Sequence, residues 1–259
     1  VTILTNNQNL VESILRDINA SIMVQEIPFI LDVPKGITFY SAHFKIDAFR
    51  YFATLPDSEY SILVDSDIVA LGKFPDTFFS LVEMRIPLCY YIKTENCDKM
   101  VYDCQRIEPS VKTMQWTGGE FWGGTRETYS LLYKYCQRVV KNYFSLIDYD
   151  LYHVGDEMIT SIAVQLMKQD GYAPFYDAGL FGFIVRYWGM HEKSSITDYN
   201  PVLVHLPADK VWIATQKQCG NFDSRAFIKR YDRHLCYFRL LNRVRPVITW
   251  ILKLINKEH

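Results

Sequence analysis

An open α/β sheet flanked by helices is the fold class that this sequence predicts, and three observations predict it. The opening VTILT, NNQ, NLVESILRDI and SIMVQEIPFI runs as strand, polar turn, helix and strand. Two longer stretches, TRETYSLLYKYCQRVVKNYF and DEMITSIAVQLMKQDG, repeat apolar residues at helical spacing between β-rich runs. With 49% hydrophobic and 15% aromatic residues in 259, the chain can bury a full core. Ligands of such sheets bind beyond the carboxyl ends of the strands, and Thr5, Asn6 and Asn7 lie at the end of the first one.

The elements follow in order. After the opening unit, FKIDAFRYFATL places Phe44, Ala48, Phe49, Phe52 and Leu55 on one helical face and stops at Pro56. YSILV is the next strand and RIPLCYYI another. Residues 93–113 are polar and weakly patterned, which predicts an irregular, mobile stretch. GGEFWGG predicts a glycine-framed turn or a short strand. The two long helices come next, the second stopped by Gly171, then GLFGFIVRYWG and PVLVHL as late strands. The division expected is one domain over residues 1–220 and a basic amphipathic helical tail over 221–259.

The net charge of −1 hides an asymmetry. Residues 225–259 carry nine basic side chains against two acidic ones, a net +7, which leaves the rest of the chain at −8. From Arg239 to Lys257, at 100° per residue, Arg239, Arg243, Lys253 and Lys257 fall in one sector. Leu240, Val244, Val247, Ile248, Ile251, Leu254 and Ile255 fill the opposite side, with Trp250 near the boundary. Pro246 is expected to divide this stretch into two short helices. A cationic amphipathic segment fits an anionic membrane surface through residues 225–259; a terminal helix docked on the domain or on a dimer partner is the alternative. The six cysteines form no C-x-x-C pair, which argues against a zinc finger or a redox motif and for reduced cytosolic thiols. No signal peptide and no apolar run of spanning length is visible.

The chemistry concentrates in YSILVDSDIVAL. Asp is costly to bury as an unpaired ion, so two of them in so apolar a stretch ask for a cation or a ring of donors. If the strand continues through them, Asp65 and Asp67 point the same way and can face one divalent cation. Two oxygens leave a coordination shell unfilled, so water, substrate phosphate or another side chain must complete it. Loop aspartates capping a helix are the alternative. A second pair, Asp148 and Asp150, emerges from a helical stretch and reads as such capping. His205 ends a late strand, where it could turn toward the cation, and Lys210 could reach a phosphate as a point charge. The glycines of Thr117–Gly124 let backbone approach a ligand around Glu120, and Trp122 could stack on a sugar ring or pack as ordinary core. Asp156 and Glu157 open a helix, where each could serve as a first-turn carboxylate or do chemistry.

Together these pieces resemble the nucleotide-sugar glycosyltransferases of the GT-A fold, and among them the group that includes families 6 and 8. The resemblance runs from VTILTNN to about Trp212 and rests on ILTNN, HFKIDAFR, ILVDSDIV, GGEFWGGT, GDE and HLPADKVW. It implies a metal ion, Mn2+ or Mg2+, bound by Asp65, Asp67 and His205, and a UDP-sugar as donor. Thr5, Asn6 and Asn7 would contact base and ribose, Lys45 or Arg50 the donor, and Lys210 the diphosphate. Asp65 and Ser66 would also border the donor, Gly118, Gly119 and Glu120 the transferred sugar, while Asp156 and Glu157 would lie near the reacting carbon. The implied acceptor is a glycan or a lipid-linked oligosaccharide, as in lipopolysaccharide, O-antigen or capsule assembly, and not nucleic acid. Retention of configuration is the outcome families 6 and 8 suggest. In a bacterium the place would be the cytoplasmic face of the inner membrane, with the Golgi lumen as the other setting. Two alternatives stand beside this. A sugar-phosphate nucleotidyltransferase would want a glycine- and lysine-rich loop after the first strand, where TNNQNL stands. An inactive GT-A-like domain would only bind glycan or partners.

Overall fold

The computed structural model describes residues 1–16, 21–93, 97–147, 151–192, 194–216 and 222–255. Strand β1 (Thr2–Thr5), helix α1 (Gln8–Leu15) and strand β2 (Met23–Glu26) form the predicted opening, with β1 and β2 paired in parallel. Asn7 caps α1 by accepting from the Leu10 amide at 3.1 Å. A 3-10 turn (Tyr40–Phe44) leads into α2 (Lys45–Phe52), which is shorter at both ends than the apolar pattern and stops before Pro56. The chain continues as β3 (Tyr60–Val64), β4 (Ile68–Ala70), α3 (Asp76–Glu83), β5 (Leu88–Tyr91), α4 (Cys97–Ile107), β6 (Thr117–Thr125), α5 (Arg126–Leu146) and α6 (Asp156–Gln169). It ends as β7 (Tyr176–Asp177), β8 (Ile184–Arg186), α7 (Ile196–Tyr199), β9 (Leu203–His205), α8 (Lys210–Thr215) and α9 (Ser224–Ile255). Mixed open sheets flanked by helices are therefore present, as the sequence predicts.

Three expectations are corrected. Residues 97–107, expected to be irregular, form α4, whose Met100, Cys104 and Ile107 are buried. Their i, i+4, i+7 spacing is helical, and it is masked by polar neighbours and by a cysteine acting as a hydrophobe. GGEFWGG is neither a tight turn nor a short strand but part of nine-residue β6, buried at every position. A strand with neighbours on both sides and packing on both faces shows no alternation, so periodicity gave no strand signal. Trp122 is fully buried edge-on to Phe49 and Phe175, at ring distances of 5.5 and 5.6 Å, and belongs to the core rather than to a sugar platform. Finally, α9 runs as one helix past Pro246 instead of dividing there.

The chain forms two compact units. The first comprises Val1–Val64 and Phe79–Ala178. Its four-stranded mixed sheet has the order β3-β6-β5-β7, antiparallel except for the β5–β7 pair. Helices α5 and α6 supply much of its core through Tyr129, Leu132, Cys136, Tyr143, Ile159 and Ile162. The second unit comprises Asp65–Phe78 and Gly179–His259, around the three-stranded sheet β4-β9-β8. Its core joins Tyr187, Ile196, Val204 and Leu206 to Phe227, Tyr231 and Leu235 of α9. The front of the basic tail is thus docked on the second unit's core by its own apolar stripe, while Arg225, Lys229 and Arg233 on its other side are exposed. Among the described residues no helix is long and apolar enough to cross a membrane.

Candidate functional site

The two aspartates of the D-S-D motif lie in the turn between β3 and β4, not within a strand. Period-two alternation therefore does not aim them. The aim comes from the second unit's own sheet, where β4 pairs antiparallel with β9 so that Ile68 stands opposite His205. The Leu206 amide donates to the Asp67 carbonyl at 3.1 Å and fastens the turn to the end of β9. As a result Asp65, Asp67 and His205 offer ligand atoms that all lie within 4.8 Å of one another.

Asp67 is the centre of this group. His205 Nε2 lies 3.1 Å from its Oδ2, and Lys210 Nζ lies 3.2 Å from the same oxygen. Asp67 and His205 are buried, while the Lys210 side chain is 65% exposed. Burial pushes the Asp67 carboxyl up, but the hydrogen bond and charge of His205 and the ammonium of Lys210 outweigh it and hold the group at about 2. The carboxylate is consequently ionised at neutral pH. Two hard carboxylates and one imidazole, with no thiolate, could hold a divalent cation with open positions left over. Ser66 is exposed at the tip of the turn.

The first unit holds the other carboxylates. Lys45, the first residue of α2, and Asp156, the first of α6, form an ion pair at 2.9 Å, with side chains 10% and 6% exposed. Gly119 of β6 backs directly onto this pair, since a Cβ there would stand 2.5 Å from Lys45 Nζ and 2.8 Å from Asp156 Oδ2. Glu157 accepts from the Trp116 indole at 3.0 Å and from the Gly119 amide at 3.3 Å, with His153 Nε2 at 3.6 Å. Neither carboxylate is the helix cap, a place taken by Gly155. Glu120 is fully buried on β6, and a Cβ on Gly118 would collide with its carboxylate. Lys45, Gly119, Asp156 and Glu157 are thus brought together.

The remaining expected residues have local partners. Arg50 donates to the Pro28 carbonyl at 2.8 Å and lies 3.4 Å from Asp47. Thr5 accepts from the Asn7 amide at 3.0 Å, Asn7 caps α1, and Asn6 is exposed between them. Asp148 and Asp150 lie outside the described residues.

Two features escaped sequence reasoning. Buried Asp47 accepts from the Ile30 and Leu31 amides at 3.1 Å each and pins that loop to α2. Its signal was a carboxylate inside the Phe44–Ala48 stripe. The other is Asp209, whose carboxylate binds Tyr231 and His234 of α9. Its signal was the spacing of Phe227, Tyr231, His234 and Leu235, just ahead of the stretch whose amphipathicity is evident.

No family model matches the chain, and no curated protein matches it. Among solved structures, the apo form of mouse xyloside xylosyltransferase 1 is similar at a TM-score of 0.46 and 10% identity. The similarity covers 80% of this chain and 84% of that one.

Proposed function

We propose that the chain is a metal-dependent glycosyltransferase of the GT-A class, which moves a hexose from a UDP-hexose donor to a glycan or lipid-linked oligosaccharide. The observation that carries this reading is the convergence of Asp65, Asp67 and His205, the last two 138 positions apart in sequence. A divalent cation held there would supply positive charge to a diphosphate as it leaves a sugar. Lys210, exposed enough to swing from Asp67 to a phosphate oxygen, adds a second positive charge on the same side of the reaction. Asp67, held ionised, keeps the cationic groups of the site together at neutral pH. In the first unit, Asp156 and Glu157 are the carboxylates assigned to the reacting carbon. Lys45 balances the charge of one, and Trp116 with the Gly119 amide orients the other. Gly118, Gly119 and Glu120 are assigned to the transferred sugar, and Thr5, Asn6, Asn7 and Ser66 to the donor nucleotide. Membership of the group of families 6 and 8, and with it retention of configuration, rests on the motif resemblance.

A lipid-linked acceptor is supported by α9. Beyond its docked stripe, Tyr237, Phe238, Leu240 and Leu241 are exposed, and the sequence continues cationic and amphipathic toward the carboxyl end. This segment is assigned to an anionic membrane surface, the cytoplasmic face in a bacterium. The nucleotidyltransferase alternative would want a glycine- and lysine-rich loop after the first strand, and TNNQNL holds neither residue.

The test is a thermal-shift titration with UDP, GDP, CDP and their sugar conjugates, with and without Mn2+. A manganese-dependent rise with UDP that vanishes in Asp67→Ala is expected. No shift with any nucleotide would sink the transferase reading and favour a domain that only binds glycan or partners.

A further inference from the structure

The segment that carries Lys210 is held by the carboxyl-terminal helix. Asp209 occupies the N-cap position of α8, where an aspartate ordinarily accepts from an amide of its own helix, yet it makes no such bond. Both of its oxygens turn to α9 instead. Tyr231 Oη donates to Oδ2 at 2.6 Å, and His234 Nε2 lies 3.2 Å from Oδ1. Burial, and next the bond to Asp209, push the Tyr231 phenol far above its ordinary range, so it stays a donor.

Packing reinforces this connection. Trp212 of α8 stacks on the His234 ring at 4.9 Å and tilts against Tyr231 at 5.1 Å. Gly189, at φ +55°, closes over the Tyr231–Asp209 bond, since a Cβ there would stand 2.8 Å from both Asp209 Oδ2 and Tyr231 Oη. Only glycine accepts that φ and that proximity together. Lysine at the first position of a helix also opposes the helix dipole, so the ammonium needs outside support to remain there.

We propose that Tyr231 and His234 are positioning residues that act through Asp209 to hold Lys210 over the Asp65–Asp67–His205 group, which makes the front of α9 a working part of the site. The inference builds on the transferase reading in taking diphosphate as the ligand of Lys210. The loss of one hydroxyl in Tyr231→Phe should free the start of α8 without emptying the core. Tyr187→Phe is the control. It loses a part-buried hydroxyl bond of a residue in the same core, to the Ser194 carbonyl at 2.8 Å, and leaves the Tyr231–Asp209 bond in place.

Three measurements decide it. Amide hydrogen exchange without ligand should quicken across residues 206–215 in Tyr231→Phe and stay unchanged in Tyr187→Phe. UDP affinity in Mn2+ should fall about tenfold in Tyr231→Phe, the low end for an outer-shell hydrogen bond. The same substitution should cost nothing more when added to Lys210→Ala. Mn2+ binding alone, which reports the metal group, should survive in Tyr231→Phe. Additive losses in the double variant, or equal effects of Tyr187→Phe, would overturn the proposal. Faster exchange in a protein whose wild type binds no nucleotide would support the clamp while sinking the donor reading.

Discussion

Replacing Asp67 with Asn keeps the volume of the side chain and removes the charge on which His205 and Lys210 converge. In the wild-type protein that charge is held by its neighbours against burial, so that the carboxyl titrates at about 2 instead of its ordinary 3.8. At about 1.4 kcal/mol per pH unit, ionised Asp67 contributes up to about 2 kcal/mol to metal-free stability, with the share of exposed Lys210 weakened by solvent. Because the folded value lies below the unfolded one, this contribution is complete above about pH 5. It disappears as the pH falls through about 2. Urea unfolding of metal-free Asp67→Asn at about pH 7 should therefore show a loss of about 2 kcal/mol, shrinking toward zero in strong acid. Adding Mn2+ at a hundredfold excess over its dissociation constant should raise wild-type stability by about 2.7 kcal/mol and the variant by little. Equal stabilisation of both proteins by Mn2+ would remove Asp67 from the metal centre. A stability gap that does not change with acid would refute the ion-pair account.

Gly119→Ala should cost about 1–3 kcal/mol in urea unfolding by forcing Lys45 from Asp156, while Gly72→Ala, with nothing within 4 Å of its added methyl, should stay within about 0.5 kcal/mol. Trp122→Ala should lose about 3–5 kcal/mol, as for a core aromatic, and a near-neutral result would reopen a ligand-facing role for the ring. Ending the chain at Asp223 should unfold the second unit's core by removing Phe227, Tyr231 and Leu235, each worth about 1.5–3 kcal/mol of burial. Ending it at Leu241 should keep the unfolding midpoint and abolish flotation with anionic vesicles, and unchanged flotation would discard the membrane assignment.

Much of the fold was legible because its elements carry their own signals. Helices α2, α5 and α6 announce themselves by apolar residues at 3.6 spacing, and β3 by a β-branched run before a polar turn. Where burial is complete the signal fails. Strand β6 has neighbours on both sides, so Gly123 and Gly124 look like turn residues although the first faces the Tyr60 ring and the second Thr128. Helix α4 hides its stripe because Cys104 passes for a polar residue. At the other end of the chain, the conspicuous amphipathic pattern after Arg239 drew attention from the quieter stripe of Phe227, Tyr231 and Leu235, which is the part that packs.

The metal group shows a different limit. The D-x-D pattern and the late histidine are both visible in the sequence, but what the sequence suggests for the convergence of the aspartates is local, a strand whose alternate side chains share a face. In the folded protein the aspartates occupy a turn, and what joins them to His205 is the register of β4 on β9. A register is a long-range property, set by which apolar faces must be buried, and a motif scan does not contain it. The same holds for Lys210, whose place depends on Asp209 turning away from its own helix to Tyr231 and His234. Residue types in a motif name the ligands a site can offer. Pairing between distant segments decides whether those ligands ever meet, and here it also ties the segment that carries Lys210 to the carboxyl-terminal helix.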